Sequence, residues 1–274
     1  VRVFPIMSVP PQDPYPKTAD TTLVTLFNSG TLEVFDLAAK KTLGKFNRVI
    51  VNTAAKTVLL DGTSFPLKQY HLKPQKTEIT TTVRWNGKDV RVEYRGDFLV
   101  EKSLHQVTNR WTGALELSQT LWSVQNYVSL EDYLRAVVPS EMPASWQAEA
   151  LKSQAIAART YAVFHMWLAR KVHKRLWDVD PTTWYQSYRG ALVENQRVTP
   201  QVEATAGQIL SYNSKIIEAF FSSNSGGMTC SISECFGYSD RPYIVAQKDV
   251  DGVRAKPGGT WKTAVTPEGL AARL

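Results

Sequence analysis

The chain reads as an α+β protein, with an antiparallel, β-rich N-terminal lobe and a mixed lobe built around one long alanine-rich helix, with a cleft. Three observations carry this reading. Period-two alternation and β-branched runs dominate to about residue 128. The pattern then changes abruptly at Leu130. Beyond it Leu151, Ala155, Ala158, Ala162 and Met166 recur at spacings of three and four, which places them on one helical stripe. Two domains are therefore expected, 1–127 and 128–274.

The first elements follow from local pattern. Val1-Arg2-Val3-Phe4 is strand-like and precedes a proline-rich stretch at 10–16. Strands are predicted over 31–35, 48–52, 57–60, 79–85, 90–94 and 97–101, with turns at Asp61-Gly62, Asn86-Gly87 and Arg95-Gly96. Asn-Gly between alternating runs is the clearest hairpin signal. A turn at 141–145 should precede a helix running to about residue 170. Its three alanines allow close backbone packing, while Gln154, Arg159 and Tyr161 fall off the stripe and are expected to face the cleft. A loop over 177–190, a short helix near 199–206, and strands at 209–212 and 215–221 come next. A polar, glycine-bearing loop at 222–229 leads to Cys230 and Cys235.

Composition narrows the classes. The 274 residues, 43% of them hydrophobic, suffice for two modest domains or one large one. A net charge of +7 favours anionic partners, either nucleic acid or a bacterial wall bearing lactyl carboxylates and stem-peptide acids. The basic residues are scattered. Their local concentrations, Lys40-Lys41 and Arg170, Lys171, Lys174, Arg175, read as solvated faces, so nucleic-acid binding is not expected. The best apolar run, 161–169, is amphipathic and broken by His165, so it is no membrane span. The chain begins with Val1 rather than Met, which leaves room for an export signal or membrane anchor ahead of it. The two cysteines suit a small disulfide loop of an exported protein, and equally two reduced, buried thiols.

Glu141 is the residue with the clearest chemical promise. It lies among Pro139, Met142 and Pro143. A carboxyl group among apolar neighbours resists ionisation, and a general acid for glycosidic cleavage must carry its proton near neutral pH. The competing reading is a helix-start glutamate favoured by the macrodipole. Residues 182–188 (TTWYQSY) interleave hydroxyls, an amide and three rings, a mixture that binds sugars or simply anchors a surface loop. Residues 222–227 (SSNSGG) permit close backbone approach or form a plain turn, and lack the lysine of a phosphate loop. His71, His105, His165 and His173 are dispersed, and no nucleophile elbow occurs. No metal and no cofactor are expected; the chemistry falls to carboxylate and amide groups.

Taken together, 128–161 (with SLEDYLRAVVPSEMP), 183–190 (TWYQSYRG) and 202–229 (VEATAGQILSYNSKIIEAFFSSNSGGMT) resemble the stage II sporulation protein D family, which includes amidase enhancers. The likeness covers about 100 residues in family order, and the first 90 match only loosely. The resemblance implies that 128–274 is the catalytic domain of a peptidoglycan lytic transglycosylase. Such an enzyme cuts between N-acetylmuramic acid and N-acetylglucosamine in strands stripped of stem peptides and leaves 1,6-anhydro ends. It implies Glu141 as acid and then base, with the muramic 6-hydroxyl attacking, so that the second carboxylate of ordinary glycosidases is not needed. It also implies Arg159 for substrate binding or cleft charge, and Gln154, Thr183, Gln186, Tyr188, Ser223 and Ser225 as cleft residues. The implied location is extracytoplasmic, with glycan strands as partner. The rival reading is a wall-binding enhancer of a partner amidase. Some members hold zinc near the Thr-Thr segment; Asp180, Trp184 and Tyr185 cannot rebuild that soft site, so no structural zinc is expected. Trp184 and Tyr185 are expected instead to stiffen the loop or to offer a sugar platform.

Overall fold

The computed structural model describes residues 1–3, 23–76, 78–85, 88–108, 115–173, 176–183 and 185–249, without the side chains of 29, 78–85, 88–91, 103–108 and 115–121. The architecture is α+β. Strands β1 (Arg2–Val3), β2 (Leu23–Asp36), β3 (Lys41–Asn52), β4 (Thr57–Leu60), β5 (Thr63–Pro66), β6 (Tyr70–Pro74), β7 (Glu78–Trp85), β8 (Lys88–Arg95), β9 (Asp97–Thr108) and β10 (Leu115–Tyr127) form one antiparallel sheet. Its order is β1-β10-β9-β6-β2-β3-β4-β5, with β7 joining β2 to β8. The strand expected at 31–35 is the second half of β2. Val24–Phe27 pair with β7, whereas Leu32–Asp36 pair with β6, so one long strand serves two neighbours in succession. Its register with β3 slips between Phe27 and Leu32. Leu26, Leu32, Val34, Val49, Val51, Val58, Leu72, Phe98 and Val100 are sealed inside, each contributing about 1.5–3 kcal/mol of transfer free energy. The Asn86-Gly87 turn lies outside the described residues, though the strands flanking it pair Trp85 with Lys88.

Gly96 makes the β8–β9 corner. Its φ is +84°, and a Cβ there would collide with the Tyr127 carbonyl oxygen and approach Val128 Cα at 2.9 Å. This corner brings β10 close, and Asn126 Nδ2 closes it by donating to the carbonyls of Arg95 (2.8 Å) and Asp97 (3.2 Å).

Helix α1 (Leu130–Glu141) begins at Ser129, whose hydroxyl accepts from the Asp132 amide, and Glu131 and Asp132 complement the dipole of the first turn. Helix α2 (Ala148–Trp167) runs on into a π-helical turn, Leu168–Val172. Leu151, Ala155, Ala158 and Ala162 are buried as expected, but so are Gln154, Arg159, Thr160 and Tyr161. The helix is enclosed on more than its stripe, because α3 (Thr199–Ala204) and the 205–210 turn cover the face expected to be open. The strands predicted over 209–221 reduce to a small ribbon of β11 (Ser211–Tyr212) and β12 (Lys215–Ile216), turned by Asn213 and Ser214 at positive φ.

The chain divides into two compact units, Val1–Phe220 and Phe221–Leu274. In the second, α4 (Ile232–Phe236) carries a capping box of Ser231 and Glu234, and Cys230 is joined to Cys235. No described helix is long and apolar enough to cross a membrane.

Candidate active site

Glu141 is the last residue of α1, and Met142 leaves the helix in extended conformation. It is thus at a helix C-terminus, and the helix-start reading fails. Pro139 sits in that final turn, where its missing N–H removes one helical bond and loosens the end. The Glu141 side chain is half-buried. Its Oε1 accepts a hydrogen bond from the Ser187 amide at 2.6 Å, while Oε2 has no partner among the described residues.

The loop bearing Ser187 is fixed from several sides. Gln186 is fully buried; its Oε1 accepts from the Tyr133 hydroxyl (3.1 Å) and its Nε2 donates to the Ala158 carbonyl (3.1 Å), spanning α1 and α2. Tyr188 is buried against Tyr133 at 5.0 Å between ring centres, and its hydroxyl donates to Asn126 Oδ1 at 2.8 Å. Burial pushes the phenols of Tyr133 and Tyr188 well above their ordinary range, so both remain donors. At the loop's end Gly190 has φ +76° and lies so close to β8 that a Cβ would strike the Glu93 carbonyl oxygen. Gln186 and Tyr188, expected to line a cleft, are therefore buried supports of the loop that carries Ser187.

Arg159 departs furthest from expectation. It is fully buried, and its guanidinium grips Glu131 with two bonds (2.9 and 2.8 Å) and donates to the carbonyls of Val202 (3.1 Å) and Gln208 (3.3 Å). It ties α1, α2 and α3 together and has no free edge for a substrate. Gln154 is also buried, yet its Nε2 finds no acceptor among the described residues. Thr183 is exposed, beside Thr182, whose amide donates to Asp180 at 2.8 Å. Tyr185 packs edge-on against His165 and Trp177, at 5.1 and 6.1 Å, which fits the stiffening role; Trp184 lies outside the described residues. Ser223 and Ser225 belong to the second unit, where Ser225 Oγ donates to Asp249 (2.6 Å) and accepts from the Gly227 amide. Among the described residues no three metal-ligating side chains converge.

Sequence reasoning missed Ser187 and Arg189. Ser187 acts on Glu141 through an amide that every residue but proline carries, so its type gave no signal. Arg189 is exposed, and its Nε donates to Ser187 Oγ at 3.2 Å.

The first unit thus presents one half-buried carboxylate at a helix end, oriented by a backbone donor from a braced loop. Residues 118–212, which contain all of this constellation, match the stage II sporulation protein family. The chain is 42% identical over 121 residues to an uncharacterized protein of Brachyspira hyodysenteriae, covering 44% of this chain and 32% of that one. It is 41% identical over 116 residues to the amidase enhancer of Bacillus subtilis (42% and 15%). It is 36% identical over 167 residues to stage II sporulation protein D of the same organism (56% and 48%). The chain spans less than half the length of each of these relatives.

Proposed function

We propose that this chain acts on the bacterial cell wall as a peptidoglycan lytic transglycosylase. Its target is the bond between N-acetylmuramic acid and N-acetylglucosamine, and its product carries a 1,6-anhydro end. One observation carries the reading: Glu141 has Oε1 fixed by Ser187 while Oε2 is left for a substrate. The proton sits on Oε2 and passes to the glycosidic oxygen as its bond to C1 breaks. The muramic 6-hydroxyl oxygen then bonds to C1 and its proton returns to Oε2, so the enzyme ends as it began. In the carboxylate interval the Ser187 amide holds the developing charge on Oε1. An extracytoplasmic setting accords with the Cys230–Cys235 link.

Mass spectrometry of products from amidase-treated glycan tests the proposal. Anhydro-muramic ends should form with the native protein and fall at least about 100-fold with Glu141→Gln. Native-level cleavage by that variant would remove Glu141 from the role. The similarity to an amidase enhancer favours a second reading, a wall-bound activator of an amidase. Undiminished amidase stimulation by Glu141→Gln, with no glycan cut by either form, would decide for it.

A further inference from the structure

Ser187 has two different partners. Its amide holds Glu141 Oε1 at 2.6 Å, and its hydroxyl accepts from Arg189 Nε at 3.2 Å. The nitrogen and hydroxyl oxygen of one serine are three bonds apart, so Arg189 Nε lies within roughly 9.5 Å of the Glu141 oxygen. Arg189 is exposed, and among the described residues its two terminal nitrogens meet no acceptor. The neighbouring arginines differ: Arg95 is committed to Glu194, Arg135 to Asp132 and Glu203, Arg159 to Glu131, and Arg170 to Asp178. A guanidinium anchored at Nε and open at its outer edge presents a planar fork suited to one carboxylate.

We propose that Arg189 is a substrate-binding residue that takes the free carboxylate of the 3-lactyl group on the muramic acid being cleaved. The proposal rests on the transglycosylase reading of Glu141. In that sugar C3 is two bonds from C1, and the lactyl carboxyl lies three bonds beyond C3. The carboxylate thus stands about one ring away from the oxygen that Glu141 protonates, a span that fits inside the limit Ser187 places on the distance between acid and cation. Where a stem peptide is attached, the same carboxyl is a neutral amide and the charged contact is lost. Arg189 thereby makes the site selective for glycan whose lactyl carboxyl is free.

The test compares peptide-free glycan with the same glycan after conversion of its lactyl carboxyls to methylamides. Calorimetry on the Glu141→Gln protein should show the amidated glycan binding roughly five- to tenfold more weakly. Adding Arg189→Gln should abolish that difference by weakening only the carboxylate form, and Arg189→Lys should restore part of it. Equal binding of both glycans to Glu141→Gln, or a difference that survives Arg189→Gln, overturns the proposal. Carboxylate-dependent binding through Arg189 without cleavage by the native protein supports the Arg189 site and rejects the transglycosylase reading. Cleavage indifferent to amidation rejects Arg189 alone.

Discussion

Tyr133 shows how far a single buried hydroxyl reaches. Its phenol donates to Gln186, and Gln186 fixes the loop whose next amide holds Glu141. Tyr133→Phe leaves the Gln186 oxygen buried and unmet, a cost of about 1–3 kcal/mol that urea denaturation should read. Glycan cleavage should fall in kcat with KM held, since the hydroxyl positions the acid rather than the sugar. Arg159→Met should be more damaging, about 3 kcal/mol, because Glu131 loses a partner held in the interior; the exposure of about a third of Glu131 keeps the loss at the low end of a buried pair. Residue types were legible in the sequence here, but their roles were not. Arg159, Gln186 and Tyr188 all carry groups that suit a sugar, and only the packing of α3 and β10 around them shows that those groups face inward.

Among the elements, the 182–190 loop depends on its last glycine. Gly190→Ala places a Cβ at positive φ against the Glu93 carbonyl, so the loop must shift from β8. The expected result is a loss of about 1–3 kcal/mol in thermal or urea unfolding, with cleavage reduced further because Ser187 moves with the loop. Regular elements were legible where periodicity and burial coincide, as in β3, β4 and α2. The 209–221 stretch misled because an apolar, β-branched run has strand character without a ladder partner, and in this fold only two short pairs form. The enclosure of α2 was hidden for a similar reason: alanine and a polar residue on one helix face do not disclose what covers the other.

Across the first unit, Asp178 links β1, the π-helical turn and the start of the 177–190 loop. Its side chain is wholly buried, and it accepts from Arg170 (2.9 and 2.6 Å) and from Arg2 through backbone and guanidinium (both 2.9 Å). Burial alone would push its carboxyl up, but the hydrogen bonds from Arg170 and Arg2 outweigh it and hold the carboxyl below the ordinary range. A lowered folded value means that the linkage stabilises fully above the unfolded carboxylate range near pH 4 and is lost as pH falls through the folded value. Urea midpoints measured downward from neutral pH should therefore drop below about pH 4, and Asp178→Asn should flatten that fall. In the second unit, reducing Cys230–Cys235 should cost about 2 kcal/mol for so short a loop, seen as faster amide exchange around α4.

Ser187 divides its two partners between atoms that a substitution affects differently. The amide on Glu141 belongs to the main chain and survives every replacement except proline, whereas the hydroxyl that steadies Arg189 disappears with the side chain. Drift at positions 187 and 189 thus leaves the acid anchored while it retunes the charge displayed beside it. The charge shown beside Glu141 can thus be rewritten without touching the contact that holds its carboxyl group.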